Sequence, residues 1–135
     1  MVNLVLVSHS LELAEGLRTM AGQMAGDTVR IEVAAGTPDG RLGTSAPMIV
    51  DAIHRADGDG GVLVLLDLGS AAMSIEMALE DLEPEVRGRV AVSGGPLVEG
   101  TIAAAVQASV GATLTEVTAA ADGASAMPKL PGAPS

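Results

Sequence analysis

VLVLLDLGS, residues 62–70, decides the fold. An uncharged aliphatic run of this kind suits a strand buried on both faces, as in a parallel sheet covered by helices, and it makes this strand the centre of the sheet. An aspartate, a glycine and a serine then follow closely. The amino-terminal VNLVLVSHS, residues 2–10, has the same design, an apolar run ending in small polar residues. Residues 29–34 (VRIEVA) alternate enough for a strand with one more exposed side, and residues 89–93 (RVAVS) supply a fourth strand.

Segments of helical period lie between these runs. Leu13, Leu17, Met20 and Met24 recur along one face, with Ala14 and Ala21 beside them and Gly26 at the end. Gly36, Pro38, Gly40 and Gly43 mark a loop. Ser45 is placed to cap a helix carrying Ile49, Val50 and Ile53, which stops at Asp57-Gly58-Asp59-Gly60-Gly61. Ser70 is placed to cap the next helix, with Met73, Met77, Leu79 and Leu82 as apolar positions and Pro84 beyond it. Gly94-Gly95-Pro96 turns into an Ala-rich helix through Val110, and Thr113-Leu114-Thr115-Glu116 has the spacing of a capping box for a short last helix. The methionines fall at core spacings and read as adaptable filler in a core without aromatic rings.

Regular alternation of strand and helix predicts an α/β fold: a doubly wound, mainly parallel four-stranded sheet, order 2-1-3-4, with helices on both faces. The switch point of that order lies between the first and third strands, and sites gather at the carboxyl ends there. Ser8-His9-Ser10 should therefore face Asp67-Leu68-Gly69-Ser70. The folded domain is expected over residues 1–121. Residues 122–135, rich in Gly, Ala and Ser with Pro128, Pro131 and Pro134, are expected to form a disordered tail.

Composition narrows the chemistry. The 135 residues carry seventeen acidic and seven basic side chains, a net charge of −10, which argues against nucleic-acid binding and against anionic membrane. Without Phe, Trp or Tyr there are no stacking platforms or interfacial belts, and without Cys there is no thiol catalysis or zinc–thiolate site. Mean hydropathy is +0.44, yet the aliphatic runs are far shorter than a membrane span. The start resembles no signal peptide, so a soluble, cytoplasmic domain is expected.

His9 sits where the topology points. It follows the first strand and precedes a helix whose free N–H groups favour an anion. An imidazole there can be a nucleophile if one ring nitrogen is unprotonated and a carboxylate accepts the other N–H; Asp67 is the candidate orienter. Ser8 and Ser10 hydroxyls, with Gly69 and Ser70, are the candidates to stabilise a phosphoryl group on His9. The plainer assignment, His9 as a loop residue and Asp67 as a helix cap, stays open on residues alone. Gly58-Asp59-Gly60-Gly61 precedes a strand and reads as a tight connection, Ser93-Gly94-Gly95-Pro96 as a rim, Glu99 as first-turn helix charge, and His54 as a solvated or interface residue. No metal site is expected. A receiver regulator would need an acidic cluster where Ser8-His9-Ser10 stands, a dinucleotide fold would need G-x-G-x-x-G, and a serine hydrolase G-x-S-x-G; all are missing.

Val7-Ser8-His9-Ser10, Leu13-Ala14-Glu15-Gly16, Asp67-Leu68-Gly69-Ser70-Ala71 and Pro96-Leu97-Val98-Glu99-Gly100, in this order over about residues 1–120, resemble one family. It is the phosphotransferase subunit of phosphoenolpyruvate-dependent dihydroxyacetone kinase, a relative of the mannose-type IIA domains of the bacterial sugar phosphotransferase system. The resemblance implies a homodimeric phosphoryl relay in glycerol metabolism. His9 would take the phosphoryl group from the histidine-containing phosphocarrier protein and pass it to ADP on the kinase's nucleotide-binding subunit. Asp67 would orient the ring. No cofactor is implied on this chain; ADP/ATP and Mg²⁺ belong to the partner subunit. The alternative is a mannose-type IIA component phosphorylating a sugar-transporter IIB domain. That reading expects a Gly-Gly-Ser-Pro-like turn where Gly69-Ser70-Ala71-Ala72 stands.

Overall fold

The computed structural model describes residues 1–132; residues 133–135, and with them the expectation at Pro134, lie outside the described residues. β1 (Asn3–Ser8), β2 (Ile31–Ala35), β3 (Val62–Leu66) and β4 (Val90–Ser93) form one parallel sheet in the order β2-β1-β3-β4. The doubly wound 2-1-3-4 architecture read from the sequence is the one observed. Val7 pairs with Leu66 in the β1–β3 register, so His9 and Asp67 leave the sheet side by side.

Alternation along the two central strands feeds two cores. Leu4, Leu6, Leu63 and Leu65 face α1 (Leu11–Ala25), α5 (Leu97–Ser109) and α6 (Leu114–Gly123), meeting Leu17, Ala104 and Val117 among others. Val5, Val7, Val62 and Val64 face α2 (Ala46–Ala56) and α3 (Ala72–Glu80), meeting Ile49, Ile53 and Ile75. All eight strand residues are fully buried. Each contributes on the order of 1.5–3 kcal/mol of hydrophobic stabilisation. A one-turn helix, α4 (Pro84–Arg87), follows α3 and begins at the proline that the sequence pattern treats only as a stop.

The methionine expectation fails. Met1, Met20, Met24, Met73, Met77 and Met127 are exposed and Met48 is half-buried. On α1 the buried stripe is Ala14, Leu17, Ala21 and Ala25, one position round from the larger Leu13, Met20 and Met24. Alanines let the helix axis approach the sheet closely, and the second apolar stripe is left outward.

Caps follow the sequence at Ser45 and Thr113 and fail at Ser70, and Ser10 caps α1, where the sequence pattern names no cap. Ser10, Ser45 and Thr113 accept N–H groups from Leu13, Met48 and Glu116, and the Thr113–Glu116 box is complete. Ser70 caps nothing: it lies inside a 3₁₀ turn, Gly69–Ala71, that runs directly into α3. The folded part also extends past residue 121. α6 continues to Gly123, a 3₁₀ turn (Ala124–Ala126) buries Ala124, and Asp122 accepts the buried Ser93 hydroxyl. Those contacts make residues 122–126 part of the domain despite their composition.

Candidate functional site

The carboxyl ends of β1 and β3 project Ser8, His9 and Asp67 into one hydrogen-bonded cluster. Asp67 Oδ1 lies 3.0 Å from His9 Nδ1, and Oδ2 accepts the His9 backbone N–H at 2.9 Å and the Ser8 hydroxyl at 3.0 Å. Leu68 N–H adds a 2.7 Å bond to Oδ1. An ionised carboxylate only accepts, so Nδ1 carries a proton, and in the neutral ring Nε2 keeps its lone pair. Burial works to raise the Asp67 pKa, but the His9 N–H, the His9 ring, the Ser8 hydroxyl and the Leu68 N–H outweigh it, holding the carboxyl below its ordinary 3.8. Asp67 is thus a fixed anion at neutral pH.

Nε2 meets the Ser70 hydroxyl at 3.0 Å, and the His9 side chain keeps 27% of its surface exposed. The ring is neither walled in nor loose. Its Nε2 edge lies at the rim against Ser70 while Asp67, 11% exposed, grips the other edge from within.

The four residues expected to stabilise a phosphoryl group divide. Ser70 stands at His9 Nε2, with Gly69 beside it at the start of the 3₁₀ turn. Ser10 faces the α1 terminus, accepting the Leu13 N–H at 3.3 Å. Ser8 does not belong with them. It is fully buried, donates to Asp67 and accepts the Ser10 N–H at 3.1 Å, so its hydroxyl serves the carboxylate. Of the other residues weighed, His54 lies 3.7 Å from Glu83 and Glu99 pairs with Lys129 at 2.6 Å.

Sequence reading missed the wall formed by the β2–α2 loop. Gly36 N–H donates to the Ser8 carbonyl and Gly43 N–H to the His9 carbonyl, at 3.1 and 3.0 Å. Next to Gly43, Thr44 Oγ1 and Ser74 Oγ are 2.7 Å apart, tying the loop to α3. The glycines there are legible as a loop, but nothing in their spacing says that the loop returns to His9.

A family model described as the PTS system fructose IIA component, EIIA-man, matches residues 3–118. The chain belongs to this family. Among EIIA-man relatives, the phosphoryl donor subunit DhaM of the PEP-dependent dihydroxyacetone kinase 2 of Listeria innocua is 46% identical over 110 residues, 82% of this chain and 88% of that one. The corresponding subunits of Pantoea ananatis and Escherichia coli are 47% and 46% identical over 120 residues. Those alignments cover 87% of this chain but 25% of each relative, so the chain spans about a quarter of the longer members. A crystal structure of EF1359, a protein of unknown function, superposes with a TM-score of 0.81 and 37% identity, covering 90% of this chain and 92% of that one. Among the described residues of this EIIA-man chain, no helix is long and apolar enough to cross a membrane.

Proposed function

We propose that this chain is a phosphoryl donor subunit of a phosphoenolpyruvate-dependent dihydroxyacetone kinase and relays the group through His9 Nε2. One observation carries the reading: a carboxylate holds the proton on Nδ1 and leaves the opposite nitrogen at the surface. The DhaM relatives support the same role.

In the first transfer the Nε2 lone pair attacks the phosphorus carried by the histidine-containing phosphocarrier protein. The Nε2–P bond forms as the donor's N–P bond breaks, with the two nitrogens in line. Asp67 retains the Nδ1 proton and offsets the positive charge that grows on the ring. The Ser70 hydroxyl swings from the lone pair to a phosphoryl oxygen, and Gly69 and Ser10 flank the same space. In the second transfer a terminal phosphate oxygen of ADP on the nucleotide-binding subunit attacks, the P–O bond forms, and Nε2 leaves with its lone pair restored. ADP, ATP and Mg²⁺ stay with that subunit, and this chain needs no resident cofactor. A homodimer working in the cytoplasm completes the proposal.

Incubating the wild-type chain with phosphoenolpyruvate and the two general phosphotransferase proteins should add one acid-labile phosphoryl group, read by mass spectrometry. His9→Ala should fold and take none; label persisting in that variant overturns the assignment. The family description as a fructose IIA component favours a second acceptor, a sugar-transporter IIB domain. Offering phosphorylated chain to the ADP-bearing subunit and to a mannose-type IIB domain separates the two, with transfer to ADP expected.

A further inference from the structure

We infer that Ser8, which does not touch the reacting nitrogen, is a positioning residue that keeps His9 in its reactive tautomer by locking the plane of the Asp67 carboxylate; this rests on His9 as the phosphoryl acceptor. Ser8 closes β1 and is completely buried. A buried hydroxyl has to be satisfied, and this one is satisfied from both sides. It accepts the N–H of Ser10, the N-cap of α1, at 3.1 Å and donates to Asp67 Oδ2 at 3.0 Å. One side chain therefore ties the first turn of α1 to the crest of β3.

The carboxylate needs such a tie. The last torsion of an aspartate is a broad sp³–sp² rotation with no sharp minimum of its own, so its plane is set by its partners. Oδ2 is held by Ser8 and the His9 N–H, which leaves Oδ1 facing the imidazole. Ser70 cannot select the tautomer in its place. A hydroxyl both donates and accepts, so the 3.0 Å contact with Nε2 is satisfied whether or not that nitrogen is protonated. Tautomer choice rests on the Asp67 plane, and the plane rests in part on Ser8.

The test compares the full chain as wild type, Ser8→Ala and Ser8→Thr, the last keeping the hydroxyl. Nitrogen-15 NMR of the unphosphorylated ring should show Nδ1–H in the wild type and a growing Nε2–H population in Ser8→Ala. Transfer from the phosphorylated carrier protein should lose about 10-fold in kcat, the lower end of what partners behind a metal-bound histidine contribute, with KM unchanged. Ser8→Thr should restore both. Ser8→Cys keeps a polar group of similar shape while weakening both the bond it gives Asp67 and the one it accepts from Ser10, so it reports the same change should Ser8→Ala fail to fold. Ring signals and kcat equal to wild type in Ser8→Ala or Ser8→Cys overturn the inference. Because the tautomer is read before any phosphoryl transfer, a wild-type chain that takes no label refutes the relay and leaves the Ser8 result to stand or fall by itself.

Discussion

Asp67 shows how a single side chain can be structural and functional at once. Its two oxygens accept the His9 ring, the His9 N–H, the Ser8 hydroxyl and the Leu68 N–H. Its pKa, held below 3.8 despite burial, has a consequence for stability. A carboxyl depressed in the folded state stabilises the fold above its unfolded pKa, and that contribution drains away as the pH falls through the folded value. Thermal stability should hold from neutrality to just above pH 4 and decline below the ordinary aspartate range. Asp67→Asn should flatten that part of the acid limb, measured as Tm against pH. An acid limb of unchanged steepness in Asp67→Asn would mean that other carboxylates carry it. The sequence indicated both His9 and Asp67, because each ends an apolar strand at the switch point. It set Ser8 among the phosphoryl-stabilising candidates, since a serine beside a candidate nucleophile reads the same from sequence whether it faces outward or toward the carboxylate behind, as it does here.

At the level of elements, the strand-to-helix turns are held by close backbone approach. A Cβ on Gly95 would lie 2.2 Å from the Ala121 carbonyl oxygen, where the β4–α5 turn presses on α6. Backbone cannot step aside as a side-chain tip can. Gly95→Ala should cost about 1–3 kcal/mol, the range for overpacking, seen as a lower denaturant midpoint at constant m-value, with His9 still labelled. Gly69→Ala is the contrast. Nothing lies within 4 Å of its Cβ position, so that variant should stay within about 0.5 kcal/mol of wild type. Element boundaries were legible wherever a cap or an aliphatic run marked them, as at Ser45, Thr113 and residues 62–66. Helix faces were less so. On α1, Leu13, Met20 and Met24 have the same period as Ala14, Leu17, Ala21 and Ala25, and periodicity alone does not say which stripe meets the sheet.

For the whole molecule, charge is the property that acts at a distance. A net charge of −10 on 135 residues sets up a negative field, and partners presenting basic patches are steered by it. If the phosphocarrier protein is the donor proposed above, its association with this chain should slow steeply as salt is raised through the physiological range, where the Debye length is about 8 Å, while dissociation changes little. Stopped-flow association rates that ignore ionic strength would remove steering from the account.

By itself the sequence determined the sheet order, the adjacency of β1 and β3 and the nomination of His9, because buried parallel strands, the helix caps and the connection lengths leave local marks. Tertiary structure decided what local marks cannot carry. It turned Ser8 inward and Ser70 toward Nε2, folded the β2–α2 loop back onto His9 and set alanines against the sheet. Each of these depends on residues distant in the chain meeting at fixed separations, and such meetings exist only after the helices have docked.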